Sequence, residues 1–73
     1  MIKLKRLKEV RKQQKVTQFE LAKAINIHPQ RISEIEHGKG DMRFHEAIAT
    51  ALFLNVSLDY LAGLSGNPSM NTE

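Results

Sequence analysis

The chain has no cysteine among its 73 residues, so it can build neither a disulfide framework nor a thiolate zinc site. It has no apolar run long enough to span a membrane. Its opening stretch, Met1-Ile2-Lys3-Leu4-Lys5-Arg6, is charged where a secretion signal would be apolar, so a cytoplasmic protein is expected. No segment alternates apolar and polar residues as a half-buried strand does. His28, His37 and His45 stand nine and eight residues apart, spacings that suit no ligand pair on one helix, so no metal is expected. The pattern offers no Ser-His-Asp set and no paired carboxylates, so no catalytic residue, cofactor or enzymatic activity is expected. A chain this short buries only about 60% of the surface its unfolded form exposes. That suffices for one core and a binding surface, not for a deep cleft.

What the chain does have is an uneven distribution of charge. Residues 1–43 carry all 11 Lys and Arg and five acids, a net of +6, whereas residues 44–73 carry three acids and no Lys or Arg. A basic half joined to an acidic half predicts one surface that meets a polyanion. Seven of these cations lie in the first 15 residues (Lys3, Lys5, Arg6, Lys8, Arg11, Lys12 and Lys15) and are read as a general positive field rather than specific contacts.

The apolar residues follow helical spacing throughout. Leu4, Leu7 and Val10 predict a first helix over residues 2–14. Thr17, with Glu20 three residues later, forms a capping box, and Val16 with Leu21 forms a hydrophobic staple, so a second helix starts there. It buries Leu21, Ala22 and Ile25 and stops at Asn26, which tolerates a left-handed conformation. Pro29 follows almost at once, suited to the first position of a third helix. That helix runs to Glu36, buries Ile32 and Ile35, and stops at Gly38. A fourth helix carries Phe44, Ala47, Ile48, Ala51 and Leu54 on one stripe and ends at Asn55. No clean cap marks its start. Ser57 caps a short fifth helix that ends at Gly63, with Val56 and Leu61 as its staple. The domain is expected to span 1–64, and the remainder, 65–73, to fray as a flexible tail.

Residues 18–37 thus form two short helices packed across a tight turn, the geometry in which one helix braces across a nucleic-acid backbone and the next reads base edges. The sequence resembles the Cro/phage-repressor-type helix-turn-helix family, also called the XRE family. The resemblance is carried by Thr17-Gln18-x-Glu20-Leu21-Ala22, Ile32-Ser33-x-Ile35-Glu36-x-Gly38-Lys39 and Asn55-Val56-Ser57-Leu58-Asp59-Tyr60-Leu61. It implies an all-α, compact, five-helix, lambda-repressor-like fold in which the second and third helices contact double-stranded DNA. It also implies that Arg11 pairs with Glu36, and Arg11 does continue the inward stripe of Leu4 and Leu7. Gln18 matches the family position that contacts a phosphate, with Thr17 beside it at the positive end of the helix. Two positions depart from the pattern: Asn26 stands where Gly is usual, and Pro29 where many relatives carry a hydrogen-bonding side chain.

With Ile32 and Ile35 inward, Gln30, Ser33 and Glu34 face outward and Arg31 lies on the flank. These four, with Pro29 packing on a thymine methyl, are the expected base readers, since Gln suits adenine, Arg guanine and Glu cytosine. His37, Lys39 and Arg43 are expected phosphate contacts. Leu58 and Tyr60 are candidate contacts of a homodimer, which relatives often form through this region. The leading expectation is a dimeric repressor on a palindromic site. An antitoxin-type autorepressor that binds a toxin, and a protein adaptor without DNA binding, remain the alternatives.

Overall fold

Each helix here is short, and each is closed by one residue that turns the chain left-handed. The computed structural model describes residues 2–69. Within them lie α1 (Leu7–Gln13), α2 (Gln18–Ile25), α3 (Pro29–Glu36), α4 (Phe44–Leu54) and α5 (Leu58–Ala62). Positive φ occurs at Lys15, Asn26, Gly38, Asn55 and Gly63, one just past each helix. The residue after each returns its N–H to a carbonyl five positions back: Val16 to Arg11, Ile27 to Ala22, Lys39 to Glu34, Val56 to Ala51 and Leu64 to Asp59, at 2.8–3.1 Å. This is the Schellman hydrogen bond, which satisfies a carbonyl the helix end leaves without a partner.

The starts are equally local. Thr17 Oγ1 accepts from the Glu20 N–H at 3.0 Å, and Glu20 accepts from the Thr17 N–H at 2.8 Å, completing the capping box. Ser57 Oγ accepts from the Tyr60 N–H at 3.0 Å. His28 Nδ1 caps α3, accepting from the Gln30 N–H at 3.2 Å, with Pro29 next to it at the first helical position. At α4, Glu46 accepts from the Arg43 N–H at 3.0 Å. An arginine side chain has no acceptor to complete the box, which is why this start was not legible in the sequence.

The core gathers Leu4, Leu7, Val10, Leu21, Ala22, Ile32, Ile35, Met42, Ala47, Ala51, Leu54, Val56 and Leu61 from every element. α2 packs on both α3 and α4, and Ala22, fully buried, is small enough to permit that close crossing. The radius of gyration is 11.0 Å, against about 11 Å for a compact domain of this length. Among the described residues the architecture is all-α.

Two expectations are corrected. The first helix begins at Leu7, not at residue 2. Ahead of it, Ile2 and Met42 exchange backbone hydrogen bonds at 2.8 and 2.9 Å in an isolated antiparallel bridge, and Lys5 and Arg6 turn the chain into the helix. Phe44 and Ile48 do not join the core stripe and stay 63% and 38% exposed. α4 instead turns Ala47, Thr50, Ala51 and Leu54 inward, with the Thr50 hydroxyl donating back to the Glu46 carbonyl at 2.8 Å. Within the expected tail, Ser65 and Pro68 make backbone contacts with the body of the domain. The Ser57 N–H donates to the Pro68 carbonyl at 2.8 Å, and Arg6 Nη1 donates to the carbonyls of Ser65 and Tyr60 at 2.6 and 2.9 Å. Residues 70–73 of the expected tail, and residue 1 of the expected domain, lie outside the described residues.

Lys15 holds φ at 59°, a conformation that costs a residue with a Cβ roughly 1–2 kcal/mol. Glycine avoids that cost but loses about 0.5–1 kcal/mol in chain entropy. Lys15→Gly is therefore expected to raise Tm by a few degrees, and a thermal melt showing a lower Tm would overturn this account of the α1 terminus.

Candidate nucleic-acid interface

Three residues, Asn26, Ile27 and His28, separate α2 from α3. The turn is that short because Asn26 adopts φ 62° and ψ 47°, so no glycine is required there. Ile27 is half-buried against the core, and His28 then caps the next helix.

α3 is fixed on three sides. Ile32 and Ile35 sink into the core. At its C-terminal end the Glu36 carboxylate accepts from Arg11 Nε at 2.6 Å, Arg11 Nη2 at 3.0 Å and Gln18 Nε2 at 3.0 Å. The two charged side chains are 9% and 1% exposed. Arg11 Nη1 also donates to the Val16 carbonyl at 2.7 Å, so this buried guanidinium meets oxygen on more than one side. A bidentate pair with its remaining lone pairs satisfied is the form in which a buried ion pair is tolerated. Glu36 thereby joins α1, the start of α2 and the end of α3.

The third attachment involves Arg31, a residue expected to read bases. Its guanidinium turns away from the outward face: Nη1 donates to Glu46 at 2.6 Å and Nη2 to the Asp41 carbonyl at 3.1 Å. The physical reason is the nearness of the α4 N-terminus, where the buried Glu46 carboxylate must be neutralised. Reading a base with Arg31 would require breaking this pair. The same hydrogen bond holds the Glu46 carboxyl below the usual glutamate range, against the opposing effect of burial and with help from the Arg43 N–H.

What remains outward on α3 is polar and free of Lys or Arg. Gln30 and Glu34 are exposed, Ser33 and Pro29 half-buried. The Gln30 amide reaches Glu34 at 3.4 Å across one helical turn, and His37 Nδ1 lies 2.7 Å from the Ser33 carbonyl. His37, Lys39 and Arg43, the expected phosphate contacts, are all exposed just beyond. Thr17 is exposed but spends its hydroxyl on the α2 cap, and Gln18 spends its amide on Glu36. Thr17 spends its N–H on Glu20 as well, so the group of this pair left to meet an anion is the backbone N–H of Gln18 at the start of α2. Sequence reasoning missed the His28 cap and the Glu46 partner of Arg31. The former had a signal in its position directly before Pro29; the latter had none.

The dimer candidates separate. Tyr60 is half-buried, with the Arg6 guanidinium 4.5 Å from its ring centre. Leu58 instead lines an apolar groove with Ile48, Ala51, Leu52 and Val56.

Two measurements check these attachments. Removing one partner of a buried ion pair costs about 3–5 kcal/mol, so Glu36→Ala should melt far below the wild type, and an unchanged Tm would contradict the role given to this pair. Glu46 has a native pKa lower than its unfolded one. The stability it contributes is therefore complete above the ordinary glutamate value of about 4.3 and is lost as pH falls through the lower native value. Tm of the wild type should fall more steeply on acidification than that of Glu46→Gln; parallel curves would refute the pairing.

A family comparison agrees with this geometry. The family model of the Cro/C1-type helix-turn-helix, or XRE, domain matches residues 7–61, from the first residue of α1 to the buried Leu61 of α5. No curated protein matches the chain. No helix among the described residues is long and apolar enough to cross a membrane. The family is one of DNA-binding regulators rather than enzymes. The chain belongs to the helix-turn-helix family of DNA-binding regulators.

Proposed function

We propose that this protein is a sequence-specific transcriptional repressor that binds a palindromic operator as a homodimer, in the cytoplasm and associated there with the nucleoid. The observation that carries the reading is α3 itself: a helix pinned to the body through Arg31, Ile32, Ile35 and Glu36, leaving Gln30, Ser33 and Glu34 outward. A helix that only filled space would not need an anchor at each of these positions. Rigid backing is what base discrimination requires, because hydrogen bonds to base edges tolerate little displacement.

Gln30 pairs with adenine, Glu34 accepts from cytosine, Ser33 takes either, and Pro29 packs against a thymine methyl. Lys39, Arg43 and His37 contact phosphates, as does the backbone N–H of Gln18 at the start of α2. Affinity then rests on groups outside α3 and selectivity on groups within it. The dimer reading is supported by the apolar groove of about 280 Å³ that Leu58 lines, and by Leu52 and Phe44, 61% and 63% exposed on α4. A single module reads few base pairs, so symmetry is needed for a usable site, with half-sites about 34–36 Å apart.

Selection of binding sites from a random duplex pool tests the reading: a two-fold symmetric consensus is expected. Failure to enrich any sequence at low salt would overturn it and favour a protein adaptor, whose partner affinity would not fall steeply with salt. Gln30→Ala should relax the preference at one or two positions of each half-site. Lys39→Ala should weaken all sequences alike and reduce the slope of log K against log salt by about 0.9. Identical selectivity profiles for the wild type and Gln30→Ala would refute the assignment of Gln30.

A further inference from the structure

α3 contains a single Lys or Arg, Arg31, in the sequence Pro-Gln-Arg-Ile-Ser-Glu-Ile-Glu. Arg31 borders a shallow depression shared with His28, Gln30 and Glu34, on the same side of α3 as the outward polar residues. Its side chain is 34% exposed, while that of its partner Glu46 is 7% exposed. A guanidinium so placed is within reach of a polyanion lying along α3. It is held by a carboxylate that cannot follow it outward, because Glu46 sits in the first turn of α4 and accepts from the Arg43 N–H with its other oxygen.

We propose that Glu46 is a positioning residue that masks Arg31 from DNA. By holding the guanidinium against the α4 N-terminus, Glu46 keeps a cation that any phosphate attracts off the reading face and leaves discrimination to Gln30, Ser33 and Glu34. The proposal rests on the DNA-binding reading above. Its chemistry is a competition: the buried carboxylate and the Asp41 carbonyl on one side, a solvated phosphate or guanine edge on the other. The intramolecular partners are already in place and ordered, so the clasp is the lower-cost arrangement while Glu46 carries its charge.

The mask makes predictions that a merely structural ion pair does not. Glu46→Gln keeps the shape and the acceptor for the Arg43 N–H but removes the charge. Freed Arg31 then adds one contact to DNA, so the slope of log K against log salt for a non-specific duplex should steepen by about 0.9. The ratio of specific to non-specific affinity should fall at the same time. Adding Arg31→Met to Glu46→Gln should return the slope to the wild-type value. An ion pair that served stability alone would lower Tm in Glu46→Gln and leave the salt slope where it was, which would overturn the proposal. A double variant that retains the steeper slope would overturn it as well, since the added contact would then not be Arg31. A wild type with no salt-dependent affinity for any duplex would remove the DNA-binding reading itself, and the proposal with it. Should Glu46→Gln fail to fold, the wild type answers alone: the Glu46 side-chain carboxyl carbon resonance should be the same in the free protein and in its complex with a non-specific duplex. A displaced resonance in the complex would show that Arg31 leaves its partner for DNA, against the proposal.

Discussion

The buried pair of Arg11 and Glu36 is the constraint on which the rest of the interface depends. Two charges withdrawn from water carry a desolvation cost that their attraction only roughly offsets, so the pair is not a large net source of stability. What it supplies is geometry. The planar guanidinium meets both carboxylate oxygens, the Gln18 amide shares one of them, and the Val16 carbonyl accepts from the third guanidinium nitrogen. Moving α3 relative to α1 or α2 would leave buried charge without a partner, which is far more costly than shifting an apolar contact. A core of thirteen buried apolar side chains can tolerate small sliding of its helices; this ion pair cannot.

Such fixing matters because none of the helices is stable alone. The longest, α4, has 11 residues and α5 has five, whereas isolated helices shorter than about 12–15 residues are marginal in water. Helix ends are therefore set by local hydrogen bonding and helix positions by packing. Five left-handed stops let the chain reverse within a few residues, and several then place an apolar residue (Val16, Ile27 or Val56) back onto the core. Gln14 adds a cross-link of the same kind, its amide donating to the Leu54 carbonyl at 2.6 Å and so joining the ends of α1 and α4.

This division explains what was legible in the sequence. The bounds of α2, α3 and α5 could be read because their caps and stops lie within a few residues of the helices they bound: Thr17 with Glu20, Pro29 with Gly38, Ser57 with Gly63. The start of α1 could not, because Leu4 fits a helical stripe and an extended strand of core contacts equally well. The choice was made by Met42, distant in sequence, which pairs with Ile2. Lys15 offered no sign of a left-handed turn. On α4 the face was ambiguous because Phe44, Ile48, Leu52 and Phe53 are as apolar as the residues that are buried, so periodicity did not select one side. The ion pair of Arg31 was not legible for a related reason: its spacing shows that it flanks the outward face, but nothing local reveals that Glu46 waits across the turn. Local chemistry is written in neighbouring residues, and tertiary partners are not.

The arrangement of α3 also separates two properties that a basic recognition helix would merge. Of its eight residues, two are buried apolar anchors and two, Arg31 and Glu36, are held by charges on other elements. The outward remainder is neutral or acidic. A phosphate backbone attracts any cation regardless of sequence, whereas an amide or a carboxylate gains from the groove only where a base edge offers the right partner. Glu34 sharpens this further, since a carboxylate beside an unsuitable base is repelled by the surrounding phosphates and left without a donor. On the proposed reading, attraction to DNA comes from Lys39, Arg43 and the basic first half of the chain, placed outside the helix. A reading surface built this way binds its wrong sites weakly because it contributes little to them, and it depends on the neighbouring cations to hold it in the groove long enough to discriminate.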